Sequence, residues 1–223
     1  MASGADRYAS QPLDSRLTGV LLKKSAPQPA NSRQRILEVS TQLFAKHGFD
    51  GVTMRNIATA AEITLPAIYH HFGNKEELFK AVETEMYTSH ARSLINQLQA
   101  DLSAEERLRG FVFVMFDHLQ SNPDYLKLLQ RNLVDGWEEN QVFLVDLSLQ
   151  PVMDELKTLL NQYAPGTGDS VAPVAIFSLI LGFITLLPVV RHLREQPFMS
   201  GPGTQTRTLL VESVMNFVAA NRP

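Results

Sequence analysis

The stretch Thr53 to Phe72, TMRNIATAAEITLPAIYHHF, decides the fold. Thr53 is a good helix N-cap, and Met54, Ile57, Ala58 and Ala61 after it recur at helical spacing. Glu62-Ile63-Thr64 is too short for anything but a turn. A second helix follows from Leu65 to about His71, with Pro66 in its first turn, where a missing N–H costs nothing. Small Ala58 and Ala61 suit a close helix crossing, and Ile63 plugs the turn. Ile68 and Phe72, four residues apart, bury one side of the second helix. Its other side is left to Thr64, Leu65, Ala67, Tyr69, His70 and His71. Two short helices joined in this way let one brace the other in the major groove of a duplex.

Upstream of this pair, a helix opens at Ser32 and runs to about His47, with Ile36, Val39, Leu43 and Phe44 on one face and Gly48 as its stop. Downstream, Asn74 caps a fourth helix that begins at Lys75 and reaches about Ala100. Ser103 and Glu106 form a capping box before a helix over 104–121. Asn122-Pro123 starts another that ends near Gly136. A further helix spans about 138–162, where Pro151 is expected to kink or split it. Residues 170–194 read as a long apolar helix and 204–220 as the last. No period-2 strand stands out, so the fold class is all-α: a three-helix helix-turn-helix head and a larger helical body, about nine helices in total. The expected divisions are a disordered arm over 1–31, the head over 32–79 and the body over 80–223.

Composition narrows the function classes. Hydrophobic residues make up 44% of the 223 and charged residues 19%, ordinary globular values with enough apolar material for a core. With no cysteine, disulfides, thiolate metal sites and cysteine nucleophiles are excluded. No apolar stretch in residues 1–31 has the length of a signal sequence, which fits a cytoplasmic protein. The net charge of −3 hides an asymmetry. Residues 1–80 hold ten Lys/Arg against seven Asp/Glu, and residues 81–223 hold ten against sixteen, so a mildly basic end adjoins an acidic one. No Gly-rich phosphate loop, HExxH, GxSxG or paired acid-base constellation is present, so an enzyme is not expected. No metal site or cofactor is expected either: His70 and His71 are adjacent on a helix and point about 100° apart.

The run Thr53-Met54-Arg55-Asn56-Ile57-Ala58, then Ala61-Glu62-Ile63-Thr64, Ile68-Tyr69-His70-His71-Phe72 and Asn74-Lys75-Glu76-Glu77-Leu78, resembles the signature of the TetR family of transcriptional regulators. The preceding run from Phe44 to Val52 matches it too, so the resemblance covers about Arg33 to Val82. It implies roles for residues at the matching positions. Thr53 would cap the second helix and hold a phosphate at its positive end. Arg55 would reach a phosphate or a base edge. Thr64, Tyr69, His70 and Lys75 would hold the phosphate backbone. Leu65 and Ala67 remain as base readers, limited to thymine-methyl contacts. Many family members carry Lys or Gly near positions 65 and 66, so Leu65-Pro66 departs from the pattern. Each of these side chains also has an ordinary surface role open to it.

The resemblance further implies a homodimer built on the last two long helices, here 170–192 and 204–220, with Ser178 and Gly182 permitting close approach. It implies a double-stranded, pseudo-palindromic DNA operator as partner. The twenty uncharged residues from Val171 to Val190 also have the length of a membrane span. Pro173, Ser178, Gly182, Thr185 and Pro188 dilute that span, and a buried helix is the more economical reading. In the middle helices, aromatic residues suggest a pocket for a small apolar effector of unknown identity. The candidates are Phe113, Phe116, Trp137 and Phe177, with Asp117, His118 and Arg131 as polar anchors. For any one of them, ordinary core packing is the more economical reading. The expected function is a repressor released from its operator by such a ligand. The alternatives are an effector-independent or protein-partnered DNA-binding dimer, an activator, or a membrane-anchored regulator.

Overall fold

The computed structural model describes residues 29–135, 138–192 and 203–221. The arm over 1–28 and Trp137 lie outside the described residues. Helices α1 (Pro29–His47), α2 (Met54–Ala61) and α3 (Leu65–Phe72) form the head. Helix α1 begins three residues earlier than Ser32 suggested, at a proline, a residue suited to a first helical turn. It stops where expected. Gly48 takes a φ of +74° and its N–H closes the last turn on the Phe44 carbonyl at 2.9 Å.

The body follows as α4 (Lys75–Leu98), α5 (Ala104–Ser121), α6 (Pro123–Asp135), α7 (Glu138–Leu144), α8 (Gln150–Tyr163), α9 (Ala172–Val190) and α10 (Gly203–Ala220). A π-helical segment, Val145–Leu149, joins α7 to α8 without a break, so the described residues form nine continuous helical rods and no strand. The split expected at Pro151 does not occur; the helix runs on through it, with a π-helical turn just before. Proline has no N–H to offer the preceding turn, and the chain answers with a wider one, in which the Gln150 N–H reaches back to the Val145 carbonyl. The capping box at Ser103 is present, with Glu106 Oε2 accepting from the Ser103 N–H at 3.0 Å.

Two hydrophobic cores meet along α4. The first gathers Ile36, Phe44, Ile57, Ile68, Leu78 and Val82 in the head. The second, in the body, begins on α4 at Tyr87 and takes in Leu94, Leu98, Phe111, Leu156, Ile180 and Val214 among others. The boundary is not a clean cut at residue 79. Leu128 of α6, a body helix, is buried in the head core, and half-buried Met86 packs against both.

Helix α9 presses Ile176, Ile180 and Ile184 into the body core. Its opposite face is open: Val174, Leu186 and Val189 are 57%, 56% and 64% exposed. With a mean hydropathy of 2.4 it is long and apolar enough to cross a membrane, and only 22% of it is buried. A Cβ on Gly182 would meet nothing within 4 Å.

Candidate functional site

Thr53 is the N-cap of α2, and its extended backbone lets the hydroxyl accept from the Asn56 N–H at 3.2 Å, while Asn56 Oδ1 accepts from the Thr53 N–H at 2.9 Å. This reciprocal pair fixes the start of the bracing helix and leaves its positive end in solvent. Helix α2 ends on Glu62, a non-glycine in the left-handed region at φ 55°, whose carboxylate pairs with Arg35 of α1 at 3.1 Å. The turn then delivers Thr64 to the N-cap position of α3. Its hydroxyl makes no capping bond, and Pro66 in the first turn has no N–H for one to serve.

Ile68 and Phe72 are buried beneath α3, as their spacing requires. Thr64, Tyr69 and His70 are exposed, and Leu65 and Ala67 are half-buried on the same helix. Arg55 is exposed on α2. Lys75 differs from expectation: its Nζ sits 4.0 Å over the Phe49 ring, docked on the head rather than extended. Asn74 caps α4 by accepting from the Glu77 N–H at 2.8 Å. Between α3 and α4, Gly73 has a φ of +63°, and an added Cβ would lie 2.6 Å from Glu77 Oε2.

The residues expected to line one effector pocket are scattered. Phe113 is exposed, and the Arg207 guanidinium of α10 lies 3.7 Å over its ring. Asp117 pairs with the same arginine at 2.8 Å. Both thus face the α5–α10 seam rather than an interior cavity. Phe116 is buried in the body core, and Phe177 packs 5.7 Å from Phe111. His118 lies 4.2 Å from His90, with the rings tilted by 33°, and 5.0 Å from Tyr125. Only Arg131 lines the principal cleft. Helical spacing shows which residues share a face, but not which neighbour covers that face, and this separates the six described candidates.

That cleft, of about 500 Å³, opens where head and body meet. The end of α1 and the following loop supply His47 to Asp50, α4 supplies Glu76, Phe79, Lys80 and Glu83, and α6 and α7 supply the far wall, including Asn132 and Phe143. Glu83, 3% exposed, sits at its base. Its Oε1 accepts from Asn132 Nδ2 at 3.1 Å and from the Tyr87 hydroxyl at 3.4 Å. Asn132 Nδ2 also donates to the Tyr87 oxygen at 3.0 Å. Burial holds the Glu83 carboxyl up at about 7, because these neutral donors and the more distant Lys80 only partly offset the lost hydration. Burial also pushes the Tyr87 phenol up, helped by the neighbouring carboxylate. Next along α4, His90 is pushed down to about 3 by burial and by His118. The sequence carried a signal for this cluster: Glu83, Tyr87 and His90 fall on the same stripe of α4 as Leu78, Ala91 and Leu94, so a polar group there must be buried.

Residues 36–82 match the family described as bacterial regulatory proteins, tetR family. The chain is 48% identical over 58 residues to the HTH-type transcriptional repressor AcnR of Corynebacterium efficiens, covering 26% of this chain and 31% of that protein. It is 32% identical over 130 residues to the HTH-type transcriptional repressor NicS of Pseudomonas putida, covering 56% and 57%. The matches thus span between about a third and somewhat over half of these relatives' lengths. Among solved structures, a TetR-like transcriptional regulator from Rhodococcus sp. RHA1 superposes with a TM-score of 0.67 at 20% identity, over 85% of this chain and 97% of that one. At that identity the likeness speaks for the fold, and it extends through the body.

Proposed function

The head of this chain belongs to the tetR family of bacterial regulatory proteins, and on that premise we propose that the whole chain is a sequence-specific DNA-binding transcriptional repressor. The observation that carries this reading is the outer face of α3. Thr64, Tyr69 and His70 stand exposed on a helix whose inner face is locked by Ile68 and Phe72, beside the capped, open N-terminus of α2. The fixed donors and the positive helix end suit phosphate, and Leu65 and Ala67 suit the thymine methyl group. Arg55 adds a cation beside them, and Lys75 swings from Phe49 to the flanking backbone when a phosphate arrives.

The protein acts in the cytoplasm as a homodimer. One such helix covers too little DNA to bind tightly, whereas two related by a two-fold axis read half-sites about 34–36 Å apart. The open apolar face of α9, together with α10, is the surface a second copy covers. A lipid reading of α9 fits less well. Its Thr185 hydroxyl accepts from Gln130 Nε2 of α6 at 2.9 Å, and its inner face is part of the body core. The cleft at the head–body junction favours a repressor released by a small, largely apolar ligand over one without an effector.

Selection of bound fragments from random duplex DNA by the purified protein, combined with sedimentation, tests the reading. A dimer that enriches a pseudo-palindrome, with affinity falling steeply as salt rises, is the expected result. A monomer, or a protein with no preference over bulk competitor DNA, overturns it.

A further inference from the structure

We infer that the cleft between head and body is a binding site for an amphipathic organic cation, an ammonium group carried on an apolar body, with Glu83 as its counter-ion. The volume of about 500 Å³ suits a small molecule. Glu83 is the centre of the argument. It is a carboxylate 97% removed from solvent whose ordered partners, Tyr87 and Asn132, are both neutral. Both use the same oxygen, Oε1. Among the described residues no donor lies within hydrogen-bond reach of Oε2, and no cation is within ion-pairing distance of either oxygen. A buried carboxylate in that condition gains most from a positive charge delivered in a form that does not carry its own water.

The walls are built to accept such a form. Phe49, Phe79 and Phe143 line the cleft with Leu128. The protein already seats ammonium groups on two of these rings: Lys75 Nζ lies 4.0 Å over Phe49, and Lys80 Nζ lies 4.9 Å over Phe143. These contacts show that the rings suit an ammonium group, and a ligand's takes such a place by displacing the lysine. Asp50, Glu76 and Glu139 add negative charge at the rim, against Lys80 and Arg131. An anion entering the same cleft meets Lys80 and Arg131, both exposed at its edge, and must then approach the Glu83 carboxylate.

The site stands on this geometry alone. Its coupling to DNA release rests on the repressor reading above, and the test separates the two. Three probes share one phenylalkyl body: 4-phenylbutyl trimethylammonium, 5-phenylpentanoate and 5-phenylpentanol. Titration calorimetry of the intact protein is expected to rank the cation at least tenfold tighter than the alcohol, with the carboxylate weakest. Glu83→Gln keeps the acceptor for Asn132 and is expected to erase the cation's advantage over the alcohol. Phe143→Ala is expected to weaken all three probes. The wild-type ranking alone is a test, should the Gln variant fold poorly. A preference for the carboxylate, equal binding of cation and alcohol, an undiminished preference in Glu83→Gln, or no binding at all overturns the assignment. A cation that binds through Glu83 without lowering the affinity for selected DNA leaves the site intact and removes its effector role.

Discussion

Asn132 of α6 donates to Glu83 of α4 over 3.1 Å, and this buried bond fastens the body to the helix that enters the head. An orphaned carboxylate in the same place would be costly, so the pair matters more for what its loss leaves behind than for its own strength.

The pH dependence of folding reports on it. Glu83 ionises near 4.5 when unfolded and near 7 when folded, because burial favours the protonated form. Its contribution to stability is therefore full below pH 4.5 and declines as pH rises through about 7, by on the order of 3 kcal/mol. His90 acts in the opposite sense: its value falls from 6.5 to about 3 on folding, so stability is lost as pH drops from 6.5 toward 3. Comparing Glu83→Gln with wild type isolates the first effect. Urea denaturation at pH 5 and pH 7.5 is expected to show the variant gaining on wild type as pH rises; parallel profiles would contradict the assignment.

Gly73→Ala tests the joint between α3 and α4. The φ of +63° disfavours an L side chain, and the new methyl would press on Glu77 Oε2, so a loss of about 1–2 kcal/mol is expected by chemical denaturation. A neutral result would mean that the joint relaxes freely.

Much of the head was legible because its signals are local. A threonine cap, three turn residues and an i, i+4 apolar pair each act within one or two helical turns, and Thr53, Glu62-Ile63-Thr64 and Ile68/Phe72 all do what their spacing requires. The effector residues were not legible in the same way. Phe113 and Asp117 meet Arg207, some ninety residues away, and nothing in the intervening sequence fixes that encounter. The cleft was invisible for the same reason, since its walls come from α1, α4, α6 and α7. Glu83 was the exception, an acid on an apolar stripe, and it went unread.

Arg55→Ala separates phosphate contact from base reading. If the proposed face binds DNA, removing this exposed cation is expected to weaken binding to all sequences alike and to lower the slope of log affinity against log salt by about one. Fluorescence anisotropy across a salt series measures it, and an unchanged slope would exclude a phosphate contact.

Gly182→Arg probes the open face of α9. Within one protomer the new side chain meets nothing, so helicity and the unfolding midpoint are expected to stay near wild type. Light scattering should then find monomers, with DNA affinity falling by at least tenfold. Dimers that survive the arginine would move the interface elsewhere.

Leu128 belongs to α6 by sequence but to the head by packing, lodged among Phe44, Leu78 and Val82. Cutting the chain after residue 82 would therefore remove part of the head's own foundation and leave an apolar socket open to water. The head is not a detachable cap on the body. Whatever displaces α6 tugs directly on the footing of the head, and no intermediary linkage is required.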